Sequence, residues 1–319
     1  MLTKIALLIS VFFFYDSGEV RGADLSMASV DVAKLVEGMN LTVGAKELFF
    51  RTNPEIVSDK SQFNKSCTDH QEPNRKVATT LGCYQEKNHS IFVYKISDHR
   101  LDGTMTVTAA HELLHAEYEK LGAGRRGKIN ILLAETFKHL ADQDIRQRIG
   151  LYPEAQRLSE AHSILGTEVG NLPKDLETYY ATYFLHRRGI SQISERLKLE
   201  SKKRAAEIDK YDSQLNKLKL KFENLRDEIS KQERTIQDEK DDLDRLKDVG
   251  RIDEYNRLAR SSNKRIADYN SEVHRAEKIL NQFKELLAKR NSIAVETQEM
   301  AKALDSRVLS NSHKLEKTH

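Results

Sequence analysis

Five residues, His111, Glu112, Leu113, Leu114 and His115, carry the pattern H-E-x-x-H. If the stretch is helical, the two histidines stand one turn apart on a single face, and both imidazoles can reach one zinc ion. Glu112 then falls beside them, placed to act on a water bound at that ion. The chemistry such an array supports is metal-assisted hydrolysis. The flanks favour a helix: Val107, Ala110, Leu114 and Leu121 form a helical apolar stripe, Ala109 and Ala110 favour helix, and Gly122 suits a C-terminal stop.

The elements that must position this array are of two kinds. Upstream of it, Val30 to Met39 reads as a short helix, Leu48-Phe49-Phe50 as strand-like, and Ser90 to Ile96 as a strand rich in β-branched and aromatic residues. That last strand is a candidate sheet edge on which an extended peptide could lie. Downstream, helices are expected from about Arg126 to Ile149, from Pro153 to about Leu165, and from Pro173 to about Arg188, with prolines in first turns and Gly150 and Gly166 at ends.

Over roughly residues 90 to 188 the chain resembles the gluzincin group of zinc metallopeptidases, whose third protein ligand is a glutamate on a helix downstream of H-E-x-x-H. Ser159-Glu160-Ala161-His162-Ser163 is similar to the family's N-E-x-x-S form, with Ser159 in place of the usual asparagine, and this nominates Glu160. Leu158, His162, Leu165 and Val169 share one helical face and Glu160 points away from it, so Glu168 and His162 compete for the role. The resemblance implies that His111, His115 and the downstream residue hold Zn2+. It also implies that Glu112 is the general base for attack on a peptide carbonyl, with an oxyanion donor from among His162, Tyr118, Tyr179 and Tyr180.

The N-terminus reads as a signal peptide over residues 1–23, with a short basic start and an apolar run from Ile5 to Tyr15 that is too short to span a bilayer comfortably. Arg21 is unfavourable for a cut after Ala23, which leaves an uncleaved N-terminal membrane anchor as the alternative. The expected location is secreted or cell envelope. Two cysteines, Cys67 and Cys83, suit one disulfide in an exported chain. N-x-S/T triplets begin at Asn40, Asn64 and Asn88, and residues 24 to about 60 are candidates for an inhibitory pro-segment. With 52 basic and 49 acidic residues interleaved, no single-sign field calls for nucleic acid as a partner.

From Ile208 the apolar residues Tyr211, Leu215, Leu218, Phe222, Leu225, Ile229, Ile236, Leu243 and Leu246 follow three- and four-residue steps, with Gln232 and Glu239 interrupting. After Asp248-Val249-Gly250-Arg251 the pattern restarts at Ile252 and runs to Leu287, and no proline interrupts either arm. Gly250 can take the left-handed conformation of a tight reversal, so the expectation is an antiparallel coiled-coil hairpin with arms about 80 Å long. The predicted fold class is α+β: a zincin-like domain over 24–190, mostly helical after the motif, then a hairpin over 191–305 and a tail over 306–319. The leading functional expectation is an exported zinc metallopeptidase acting on a peptide or protein. The alternative is a cell-envelope interaction protein whose hairpin binds a coiled-coil partner or its own copy, beside an inactive or structural zinc module.

Overall fold

The computed structural model describes residues 29–67 and 80–308, so the signal-peptide reading lies outside the described residues. These residues form two compact units, one holding the chain up to Ser201 together with the part from Gln298 on, the other Lys202–Thr297. The fold is mostly helical with one small sheet.

In the first unit, α1 (Val30–Met39) opens with Ser29 Oγ accepting from the Val32 N–H and ends at Asn40 in the left-handed conformation. The Leu48-Phe49-Phe50 run is not a strand: it belongs to α2 (Val43–Arg51), where Ala45, Leu48 and Phe49 fall at helical spacing on the buried face. Thr42 caps that helix, and tertiary burial overrides the β preference of the aromatic pair. Residues 29–60, within the candidate pro-segment, are integrated into the first unit. Val32, Leu35, Met39 and Phe49 belong to the main core, and β1 (Glu55–Val57) pairs in the sheet.

Following α3 (Lys60–Cys67), strands β2 (Gly82–Gln85) and β3 (Ser90–Tyr94) complete a sheet in the order β1-β3-β2. β3 runs parallel to β1, with Glu55 opposite Phe92, and antiparallel to β2, with Cys83 opposite Phe92. Among the described residues the candidate edge strand is therefore central, with both sides hydrogen-bonded, and β2 lies at an edge. Alternation along β3 sends Ile91 and Val93 into the main core and Phe92 and Tyr94 towards a second, smaller core around Phe63. The Cys67–Cys83 disulfide is present and ties the end of α3 to β2.

Gly103, at φ 90°, starts α4 (Thr104–Lys120), which carries H-E-x-x-H. The helix expected over Arg126–Ile149 is two, α5 (Ala123–His139) and α6 (Gln143–Gly150), because Asp142 breaks the run and caps α6 by accepting from the Asp144 and Ile145 N–H groups. α7 (Glu154–Glu168) continues through Gly166 rather than ending there. α8 (Lys174–Tyr180) is short, and turns separate it from the next helix, so the helix expected to reach Arg188 is interrupted. Among the sequons Asn40 and Asn88 are exposed, while the Asn64 amide donates to the Lys60 and Ser306 carbonyls at 2.6 Å each.

α9 (Arg187–Asp248) and α10 (Ile252–Leu304) are continuous helices joined by a reversal at Gly250, φ 72°. Within Lys202–Thr297 the arms run antiparallel, as the cross-arm pairs Arg204–Glu296, Asp212–Arg290, Gln232–Glu272 and Glu239–Arg265 require. Gln232 and Glu239, which interrupt the apolar seam, thus bond across it and fix register.

The first unit includes the start of α9 and the end of α10: Leu197 from one and Met300 and Leu304 from the other join the smaller core with Val57, Phe63, Leu81 and Tyr94. Ser306 Oγ also donates to the Thr80 carbonyl at 2.5 Å, two residues before β2. Truncating Leu304 or Met300 to alanine is expected to lower unfolding free energy by about 2–4 kcal/mol each. Urea denaturation of the intact chain, followed by near-ultraviolet circular dichroism, checks this.

Candidate metal centre

The central stretch of α4, from Val107 to Ala116, is buried on every side, so its polar residues have no solvent to face. His111 is 4% exposed, Glu112 0% and His115 2%. Across from them α7 is buried from Glu160 to Thr167, wider than the single face marked by Leu158, His162, Leu165 and Val169. The helices come this close because Gly166 has no side chain. A Cβ there would lie 2.4 Å from Leu114 Cδ1 and 2.8 Å from Tyr180 Cε1.

Glu160 is accordingly no solvated charge; it is 1% exposed and faces the motif. Its carboxylate oxygens stand 3.7 Å from His111 Nε2 and 3.7 Å from His115 Nε2, and the two Nε2 atoms are 3.0 Å apart. One ligand atom from each residue fits within a 4.8 Å span. Ser159, where the resemblance expects asparagine, lies 3.0 Å from His115 Nδ1 through its Oγ, which turns the opposite nitrogen toward the group.

The competitors for the third position are engaged elsewhere. Glu168 forms a buried ion pair with Arg148 of α6. His162 is 2.8 Å from the Tyr179 hydroxyl through Nε2 and packs among the rings of Tyr118, Tyr179 and Tyr180. The expected oxyanion donors also have internal duties. Tyr118 donates to Asn130 Oδ1 at 2.7 Å, Tyr180 donates to the His162 carbonyl at 2.6 Å, and Tyr179 accepts from Tyr183 at 3.1 Å.

Burial dominates the electrostatics. It pushes His111 down to about 3, with the Arg148 and His162 charges adding to the effect, and holds His115 well below the ordinary histidine range. Both rings are therefore neutral, the form in which imidazole binds a metal. Glu112 is held well above the usual carboxyl range by burial first and the Glu160 charge second, against a weaker pull from the Tyr84 main-chain N–H. Neither Glu112 oxygen makes a well-formed hydrogen bond among the described residues. Two neutral nitrogens, one carboxylate and a buried carboxyl with unused bonding capacity fit a divalent cation with a water beside it.

Other residues that shape the site gave no signal in the sequence. Gly82 brings the β2 main chain against Thr108 and Glu112, Arg148 places a cation near His111, and Arg187 fastens α7 from behind. The Arg187 guanidinium donates to the carbonyls of Leu165, Gly166, Val169 and Gly170 and pairs with Glu177.

A second polar cluster closes the β2–β3 turn onto the end of α4. The Tyr84 hydroxyl donates to Glu119 Oε2 at 2.5 Å and lies 2.8 Å from His89 Nδ1. Beside it Glu86, 8% exposed, is pushed up to about 8 by burial and by the Glu119 charge, against the Arg126 guanidinium.

Elemental analysis of the purified chain should find one divalent metal ion per chain, lost in His111→Ala or Glu160→Ala and kept in Glu168→Ala. Glu86 supplies a pH test. Its folded form holds the proton more tightly than an ordinary carboxyl at 4.5, so its contribution to stability is complete below that pH and disappears as pH rises through about 8. Thermal unfolding of Glu86→Gln should lose that part of the decline between the two values.

Compared with known protein families, with curated proteins and with solved structures, the chain finds no match.

Proposed function

We propose that the chain is a zinc-dependent peptidase. The observation that carries this reading is the convergence of His111, His115 and Glu160 from two helices, with Glu112 beside them and its carboxyl unengaged. His111, His115 and Glu160 would hold the zinc. Zinc bound there would supply Lewis-acid polarisation of a water and of the scissile carbonyl.

Glu112 takes the proton from the attacking water and passes it to the leaving amine; burial, which holds its carboxyl above the usual carboxyl range, makes it a stronger base. Ser159 orients the machinery through His115 Nδ1. β2, which lies over Glu112 and at an edge of the sheet among the described residues, is the element on which an extended peptide would add by main-chain hydrogen bonds. The Cys67–Cys83 disulfide is consistent with an oxidising, extracellular setting, and no described helix is long and apolar enough to cross a membrane.

One observation favours a second reading. The ligand group is closed to solvent, the habit of structural rather than catalytic zinc sites. On that reading the metal holds α4 to α7, and the hairpin, binding another coiled coil or a second copy of itself, is the working part.

Hydrolysis of an unfolded protein substrate separates the two. On the peptidase reading it is abolished by a chelator and restored by zinc. Glu112→Gln keeps the metal and loses about 100-fold or more in kcat. Full activity in a Glu112→Gln preparation, or zinc-replete protein with no turnover, rejects it.

A further inference from the structure

We propose that Gly82 is a positioning residue for Glu112, the bare main chain of β2 forming the wall that holds this carboxyl in place. The inference rests on the peptidase reading, in which Glu112 moves the proton.

The requirement for glycine at this position is spatial. A Cβ built on Gly82 would lie 2.5 Å from Thr108 Cγ2, 3.0 Å from Glu112 Oε1 and 3.1 Å from Glu112 Cγ. Its φ lies outside the left-handed region, so alanine could adopt the backbone conformation. What alanine lacks is room. The α-carbon of Gly82 therefore sits against the carboxyl and the stem of Glu112, on the side that faces the sheet.

Contact is the means of control because hydrogen bonding is weak here. Neither Glu112 oxygen has a well-formed partner among the described residues, so the side chain is not tethered at its tip. A buried carboxyl with two rotatable bonds beyond Cβ keeps one position only if its surroundings exclude the others. The wall is also braced. The disulfide from Cys83 to Cys67 ties β2 to α3 behind it, hydrogen bonds to β3 run along one side, and the Tyr84 hydroxyl fastens the strand to Glu119 of α4 itself. A strand tied to the same helix that carries Glu112 keeps its distance from that residue when other parts of the fold move.

The three contacts of the missing Cβ belong to two residues, which separates packing from positioning. Thr108→Ser removes the methyl that the new Cβ would strike hardest and leaves the contacts with Glu112. Gly82→Ala alone should lose both thermal stability and turnover. Gly82→Ala/Thr108→Ser should unfold within a few degrees of Thr108→Ser and bind the same one zinc. Its kcat on an unfolded protein substrate should fall about 10- to 100-fold with KM unchanged, since small misplacements of a reacting group cost about that much.

A second measurement does not depend on turnover. The Glu112 carboxyl stretch, found by infrared difference against Glu112→Gln, should be displaced in the double variant and unmoved in Thr108→Ser. Wild-type kcat together with an unmoved band in the stable double variant overturns the proposal. Should the wild type itself lack turnover, the peptidase reading falls and the infrared band alone decides whether Gly82 positions Glu112.

Discussion

Burying a carboxylate and two imidazoles between packed helices is the constraint on which the rest of the first unit depends. An uncompensated charge in such a place costs several kcal/mol, so the packing of α4 against α7 must come with partners for Glu160. His111 and His115 face it, the Arg148 cation acts on both it and His111, and the geometry suits a metal ion between the three ligands. The close approach needs Gly166, and it needs α7 to be held at its C-terminal end. Arg187 supplies that hold by gathering the last carbonyls of the helix, whose partial negative charge a buried guanidinium offsets.

The small sheet serves the same centre from the other side. Three short strands would make a weak independent structure. Here α4 lies across one face of the sheet and α3 across the other, and the disulfide joins α3 to the strand nearest Glu112. The last turns of α10 and Ser306 complete the smaller core, so a segment far beyond the motif in sequence is part of what supports the sheet. The start of α9 and the end of α10 thus belong to the first unit, and truncation of the hairpin would have to spare Leu197, Met300 and Leu304.

The hairpin follows a different rule. Its seam is narrow, with Leu215, Leu225 and Ala276 among its few well-buried residues, and polar residues within it bond across the arms. Such pairs add little stability at an exposed surface and much specificity, since only one register satisfies Asp212 with Arg290, Gln232 with Glu272 and Glu239 with Arg265 together.

The amino-acid sequence by itself determined whatever depends on local spacing. Two histidines four apart on a helix, a glycine between two heptad arms and a pair of cysteines each act through near neighbours or through a repeated period. The reversal at Gly250 and the Cys67–Cys83 bond followed from these. Tertiary structure decided the rest. Leu48-Phe49-Phe50 became helix because its neighbours bury one helical face, and β3 became central because β1, far back in the chain, pairs with it. A helical wheel placed Glu160 away from the apolar face because it counts one such face, whereas α7 is buried on every side from Glu160 to Thr167. Choosing Glu160 over Glu168 and His162 required knowing that Arg148 and Tyr179 hold the other two, contacts between separate helices that no periodicity encodes. Gly82 was invisible for the same reason: its role is an absence of atoms, which has meaning only once Thr108 and Glu112 are set against it.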